Sequence, residues 1–378
     1  MDFEFSEEQK MLRAMARDFL ETHCPKTLVK EMAKDERGYT AELWRGVVDM
    51  GWMGLIPPEE YGGAGGNFLD LVVLLEEMGR ACLPGPFFST IVLGSLTLLE
   101  MGNELQKHEF LPKIASGDVI FTLALSEPVT TKYNPALITI KANTEQNDYI
   151  IDGTKLFVPD ANVADYIICV TRTKGGTMSR DGITLFLVDA KSSGINCTLL
   201  KTLAGAKLCE VTFDKVKVPN SNMIGELHSG LPPLERVLQK AAVAKCAEMV
   251  GGARWVLGTV VDYAKERVQF GKPIGSFQAV QHHCANMVID VDGAKFITYK
   301  AAWLLSEGMP CDREVAVAKA WVSEAYRRVC LLGHELFAAV GYMVDHDMPL
   351  YTLRAKTAEL AFGDAEFHRE VIAEELGL

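Results

Sequence analysis

The sequence contains no CxxC pair among its nine cysteines, so neither a zinc site nor a disulfide framework is indicated. Most of the thiols are expected to serve as small buried hydrophobes. It has no surplus of positive charge. The net charge of −12 argues against nucleic acid or an anionic membrane surface as the main partner, and leaves room only for a local basic site facing a phosphorylated cofactor. No uninterrupted apolar run approaches membrane-spanning length. The segment Met1-Asp2-Phe3-Glu4-Phe5 lacks the basic and apolar regions of a signal peptide, so the expected compartment is the cytoplasm. Internal repeats and low-complexity linkers are missing too. The glycine-rich Gly62 to Gly66 is not followed by a phosphate-loop pattern, and an ordinary flexible turn is expected there. His282-His283-Cys284 sets ligand-type residues side by side, yet adjacent histidines on a helix point to different faces, and no metal is expected.

What the chain does have is ample material for a core, with 48% hydrophobic residues in 378, a length that calls for two or three domains. Its texture changes twice. Residues 1–118 read as helices: Ser6 with Gln9 makes a capping box, and Met11, Met15 and Phe19 follow at helical spacing as core-filling residues. A second helix is expected from Glu42 to Met50, stopping near Gly51, and a third from Leu69 to Met78. In residues 119–230 the period falls to two, with short β-rich runs at Val119–Leu125, Tyr149–Val158, Tyr166–Thr171, Ile183–Val188 and Val211–Val218. Residues 231–378, after Pro232-Pro233, are helical again, and Glu366, Glu370, Glu374 and Glu375 form a solvated face. The fold class is therefore α+β, with an N-terminal helical domain, a central β-domain and a C-terminal helical domain.

One stretch carries more than structure. Lys265 to Gln278 reads KERVQFGKPIGSFQ, with Arg267 offering a planar cationic fork suited to phosphate or carboxylate, and with Gly271, Pro273 and Gly275 stopping one helix before another begins. This string resembles the R-x-x-F-G-x-x-I-x-x-F-Q signature of the acyl-CoA dehydrogenase superfamily. The resemblance extends in order through Trp52–Gly63, Leu123–Pro128, Gly153–Val158, Gly341-Tyr-Met and Arg354-Ala-Lys356. It implies an FAD flavoprotein in which a β-barrel-like central domain and a C-terminal four-helix bundle clamp the flavin. Such enzymes form tetramers and hand their electrons to an electron-transfer flavoprotein. They oxidise the Cα–Cβ bond of an acyl-CoA: a carboxylate takes the α-proton and hydride leaves for the flavin.

Carried over by position, the resemblance implies that Leu123, Leu125, Ser126, Phe157 and Pro159 line the flavin wall. It implies that Arg267, Phe270, Gln278, Glu335 and Ala339 meet the flavin of a neighbouring subunit. Several positions depart from the family pattern. Phe362 and Ala241 occupy the two places where the family keeps its catalytic Glu, and a Phe cannot take a proton. Val129-Thr-Thr-Lys-Tyr133 replaces a glycine-rich run, leaving Thr130, Thr131 and Lys132 to meet a phosphate. Glu335-Leu-Phe-Ala-Ala339 replaces Gln-x-x-Gly-Gly.

One carboxylate stands in the right neighbourhood. Glu248 shares a helical side with Ala241, Ala244, Gly251 and Gly252, small residues that would open a groove for a bulky acyl group. Its Ala-Glu-x-x-Gly-Gly context resembles that of some steroid side-chain dehydrogenases of the superfamily. The alternative is a Glu paired with Lys245 or Arg254. Asp364 is a second candidate base, against a capping or surface role. Three readings follow: a dehydrogenase of bulky, cyclic or branched acyl-CoA with Glu248 as base; a half-site or non-catalytic chain of an α2β2 tetramer (rather than a homotetramer); or a lyase on the same fold.

Overall fold

The computed structural model describes residues 5–129, 132–177 and 179–378. Thr130 and Thr131, expected near a phosphate, lie outside them.

Local signals start most of the early helices. Ser6 and Gln9 exchange hydrogen bonds in the expected capping box at the head of α1 (Glu7–His23). Helices α2 (Lys26–Lys34) and α3 (Ala41–Asp49) follow, the latter capped by Thr40 and ended by Gly51 at φ 73°. Asn67 with Asp70 forms a second capping box at α4 (Phe68–Ala81), and Asn103 with Gln106 a third at α6 (Glu104–Ala115), which follows α5 (Leu96–Met101). Ahead of α5 runs a π-helical segment, Phe88–Ser95, that no sequence signal announced. Two expectations need correcting. Met11 and Met15 do not fill a core: they are 63% and 54% exposed, and Ala16 and Leu20 supply the buried face of α1. Gly62 to Gly66 is no loose turn, because the amides of Gly63, Ala64, Gly65 and Gly66 bond back to Pro58, Gly54, Pro57 and Leu55.

The strands are β1 (Phe121–Ala124), β2 (Lys141–Glu145), β3 (Asp148–Pro159), β4 (Tyr166–Arg172), β5 (Ile183–Asp189), β6 (Ile195–Leu199), β7 (Leu208–Pro219) and β8 (Met223–Ile224). They form one eight-stranded sheet in the order β6-β7-β3-β2-β4-β5-β8, with β1 joined to β4 in parallel. The near-continuous apolar runs of β4 and β5 are buried on both faces, whereas β2 and β6 present exposed polar residues, which is why alternation did not reveal them.

Beyond the sheet come α7 (Leu231–Glu266), a hairpin of β9 (Val268–Gln269) and β10 (Lys272–Pro273), and helices α8 (Gln278–Ser306), α9 (Asp312–Phe337), α10 (Met348–Leu360) and α11 (Ala365–Glu375). Contacts gather the chain into two compact units, each discontinuous in sequence. The helical unit comprises Met1–Lys30, Asn67–Leu83 and Ala242–Leu378, and the sheet unit comprises Glu31–Gly66 and Pro84–Ala241. The core of the helical unit is organised around α4, which buries two adjacent carboxylates. Glu76 accepts from Arg13 (2.9 Å), Tyr299 and Arg254, and Glu77 takes a two-pronged pair from Arg17 at 2.8 and 3.0 Å. Buried charges persist only when so neutralised and hydrogen-bonded.

Candidate active site

In the sheet unit, β3 carries a break in its register with β7 between Lys155 and Val158. Phe157 sits in this bulge at φ 56°, a strained conformation for a non-glycine residue, with 59% of its surface exposed. An unsupported aromatic held outward at a bulge is a platform that a planar ring can cover. Beside it runs the end of β1: the Leu156 amide donates to the Ser126 carbonyl at 2.9 Å. Leu125 and Ser126 are half-buried and available. Leu123 is buried within the β1–β4 ladder, so its side chain serves the core and not a ligand. Pro159 closes β3, half-buried, its carbonyl accepting from Thr122. Lys132 is exposed.

In the helical unit, β9 and β10 form a two-residue hairpin whose turn is Phe270-Gly271, at φ 52° and 77°. Both residues are left-handed, as a type I′ turn requires, and the Phe270 ring is 92% exposed, set edge-on to Phe277 with ring centroids 6.0 Å apart. Arg267 is exposed, and its guanidinium forms no ion pair among the described residues. Gln278 opens α8, also exposed. Glu335 is exposed near the end of α9, with His283 Nε2 at 3.7 Å, and Ala339 follows it on the surface. Between them Ala338 adopts φ 54°, ψ −141°, a region suited to glycine. The backbone keeps a glycine's shape where the residue is alanine.

Glu248 is half-buried in an otherwise buried stretch of α7 and pairs with Lys245, while Arg254 goes to Glu76. The small residues around it do not leave a groove. A Cβ on Gly251 would stand 1.8 Å from the Glu76 carbonyl, and one on Gly79 would stand 2.0 Å from the Glu248 carbonyl. These two glycines let the backbones of α4 and α7 cross in contact. A Cβ on Gly252 would meet the Tyr326 hydroxyl at 2.2 Å. The substrate-binding assignment of Gly251 and Gly252 is therefore corrected: protein already occupies the space beside both. Asp364 takes the capping place weighed for it: it is the N-cap of α11 and accepts from the Phe367 amide at 2.9 Å.

Two buried lysines escaped the sequence reading. Lys155 is fully buried and pairs with Glu127 at 2.7 Å. Its signal was in the alternation of β3, whose inward residues run Tyr149, Ile151, Lys155. Lys319 is fully buried in α9 and donates to Ser323 Oγ, the Glu359 carbonyl and the Gly363 carbonyl at 3.1, 3.0 and 2.8 Å. Burial pushes its pKa down to about 8. With His368 Nε2 donating to the Phe362 carbonyl (2.9 Å), it pins the turn that holds Phe362 at φ 56°.

Three family profiles match the chain in order: the acyl-CoA dehydrogenase N-terminal domain over residues 6–118, the middle domain over 122–216 and the C-terminal domain over 228–377. The chain is 31% identical over the full length of both proteins to a probable acyl-CoA dehydrogenase, YngJ, of Bacillus subtilis. Among solved structures it is similar to butyryl-CoA dehydrogenase of Megasphaera elsdenii, with a TM-score of 0.92, 27% identity and complete coverage of both chains. A variant of the Tcur3481–Tcur3483 steroid ACAD superposes with a TM-score of 0.88 at 28% identity, covering 98% of each chain. With domain order, sheet and helices all in agreement, the chain belongs to the acyl-CoA dehydrogenase family.

Proposed function

We propose that this chain is an FAD-dependent dehydrogenase of a bulky, cyclic or branched acyl-CoA, with Glu248 as the base. The observation that carries the reading is Phe157, an exposed aromatic locked in a strained bulge beside the Leu125–Ser126 strand end. Those sheet-unit residues fit a flavin, because a flat apolar face adjoins backbone polar groups; in the helical unit the exposed Arg267, just before the β9–β10 hairpin, suits a phosphate of a neighbouring subunit's flavin. FAD supplies the two-electron acceptor when bound. The chain's own task is to hold the acyl-CoA and to remove one proton. Glu248 is half-buried beside Lys245, and a carboxylate so placed is a group able to accept that proton. The bulky-acyl assignment now rests on the likeness to the steroid ACAD alone, because the glycine groove is filled.

An electron-transfer flavoprotein as acceptor, a tetramer and a cytoplasmic location belong to the same proposal. No helix among the described residues is long and apolar enough to cross a membrane. The test is Glu248→Gln in purified protein. Lost turnover with the flavin spectrum intact supports the base assignment, and unchanged turnover refutes it. A second reading, a half-site chain of an α2β2 assembly, is favoured by one feature. Phe362 stands at the usual base position while the nearby Asp364 is committed to its cap. That reading expects a chain that takes up FAD only with a second, different subunit.

A further inference from the structure

We infer that the buried Glu127–Lys155 ion pair is a positioning pair that presets the FAD wall of the sheet unit. The inference rests on the reading of Phe157 as that wall. Lys155 Nζ reaches both Glu127 Oε1 at 2.7 Å and the Leu125 carbonyl at 3.0 Å. One residue further along β3, the Leu156 amide donates to the Ser126 carbonyl at 2.9 Å, and the residue after that is Phe157. The strand end and the bulge are thus tied at two consecutive positions. Glu127 in turn anchors a second segment, accepting from the Thr139 amide at 2.8 Å, the Thr139 hydroxyl, and the Ile140 amide at 3.2 Å.

Both members are almost wholly buried, with side-chain exposures of 0% and 1%. A buried pair is weak evidence of stability, because apolar residues of similar volume often serve a fold as well or better. What this pair contributes that an apolar pair would not is location. Its carbonyl contact and its fan of amides fix where the Leu125–Ser126 backbone stands relative to a ring held at a strained φ of 56°. Without it, β1 would still pair with β4, and β3 with β7, through their own ladders. The segment between those ladders would lose its register with Phe157. Neither side chain need touch the cofactor for this effect, so the two are positioning residues and not catalytic ones.

The test uses the protein as purified, stripped of flavin and titrated with FAD. Lys155→Met takes the cation away from a buried carboxylate, which endangers folding, so the informative variant is the double Glu127→Gln/Lys155→Met. It removes the ionic tie while the introduced amide keeps an acceptor oxygen for Thr139 and Ile140. The expected result is an apoprotein that melts where the wild type does, an FAD dissociation constant raised at least tenfold, and a bound flavin whose visible band loses vibronic structure. An unchanged dissociation constant and spectrum in the double variant overturns the inference while leaving the FAD reading intact. So does a loss of affinity that merely tracks a lower apoprotein melting temperature. A wild type that takes up no FAD would overturn the reading of the site and this inference with it.

Discussion

Gly251→Ala separates a helix crossing from a substrate groove. The added methyl would stand 1.8 Å from the Glu76 carbonyl oxygen and 2.7 Å from the Arg80 amide nitrogen, both backbone atoms of α4. Ordinary contact between such atoms lies at about 3.5 Å, so α4 and α7 must part by more than an ångström. No flexible side chain is available to give way, and separation would disturb the pair of half-buried Arg254 with buried Glu76 that spans the same two helices. Overpacking of this kind costs about 1–3 kcal/mol, and a backbone-on-backbone clash belongs at the upper end. Helix propensity returns about 1 kcal/mol when Gly becomes Ala. The net loss is then about 2 kcal/mol, a drop of roughly 5 °C if the helical unit melts cooperatively. Scanning calorimetry of wild type and variant, each with saturating FAD and without it, measures this directly. An unchanged melting temperature with weakened acyl-CoA binding would refute the crossing and restore the groove.

Asp364→Ala removes the cap of α11 and is expected to cost about 1 kcal/mol in urea unfolding while leaving turnover unchanged; lost turnover with full stability would instead make Asp364 the base. Ala338→Gly is expected to stabilise the chain by about 1 kcal/mol, because the native φ of 54° and ψ of −141° strain alanine. A melting temperature that falls would show that this strain is not stored there. Lys319 binds its proton less tightly in the fold, with a pKa of about 8, than in the unfolded chain at the ordinary 10.5. Unfolding therefore takes up protons between those values, and stability rises with pH across that window as the burial penalty is relieved. The span is on the order of 3 kcal/mol. Lys319→Met should flatten that rise in urea unfolding followed upward from the folded pKa of about 8, and an unaltered slope would place the charge elsewhere.

The elements legible in the sequence were those with a local signal. The Ser6–Gln9 box, the apolar runs of β4 and β5 and the proline-led start of α7 all needed only neighbours in the chain. What the residues alone could not disclose was which partner fills a given space. Gly251 and Gly252 read as an opening because small residues imply room, yet that room belongs to α4 and to Tyr326, far away in sequence. Met11 and Met15 kept a helical period on the face that stayed in water. Of the proposed site, Phe157, Arg267 and Phe270 were named from their motifs; all three are exposed, and Phe157 and Phe270 sit at left-handed positions. Lys155 lay inside one of those motifs but was passed over, because its pairing with Glu127, from beyond another strand, appears only once the chain is folded.

The interleaving of the two units bears on how the chain emerges during synthesis. Every residue of the sheet unit has been made once Ala241 is added, so that unit can close while α8 to α11 do not yet exist. The helical unit cannot. Its α4 displays Glu76 and Glu77 from early on, yet Arg254 and Tyr299 arrive 178 and 223 residues after Glu76. Until then the two acids are answered by Arg13 and Arg17 from α1 and by Arg80 of α4 itself. The last third of the chain thus acts as a latch on α1 and α4. A nascent chain stalled between Ala241 and Arg254 would carry a complete sheet unit and an α1–α4 pair whose apolar face still lacks its later helices, the sort of intermediate that holding chaperones recognise.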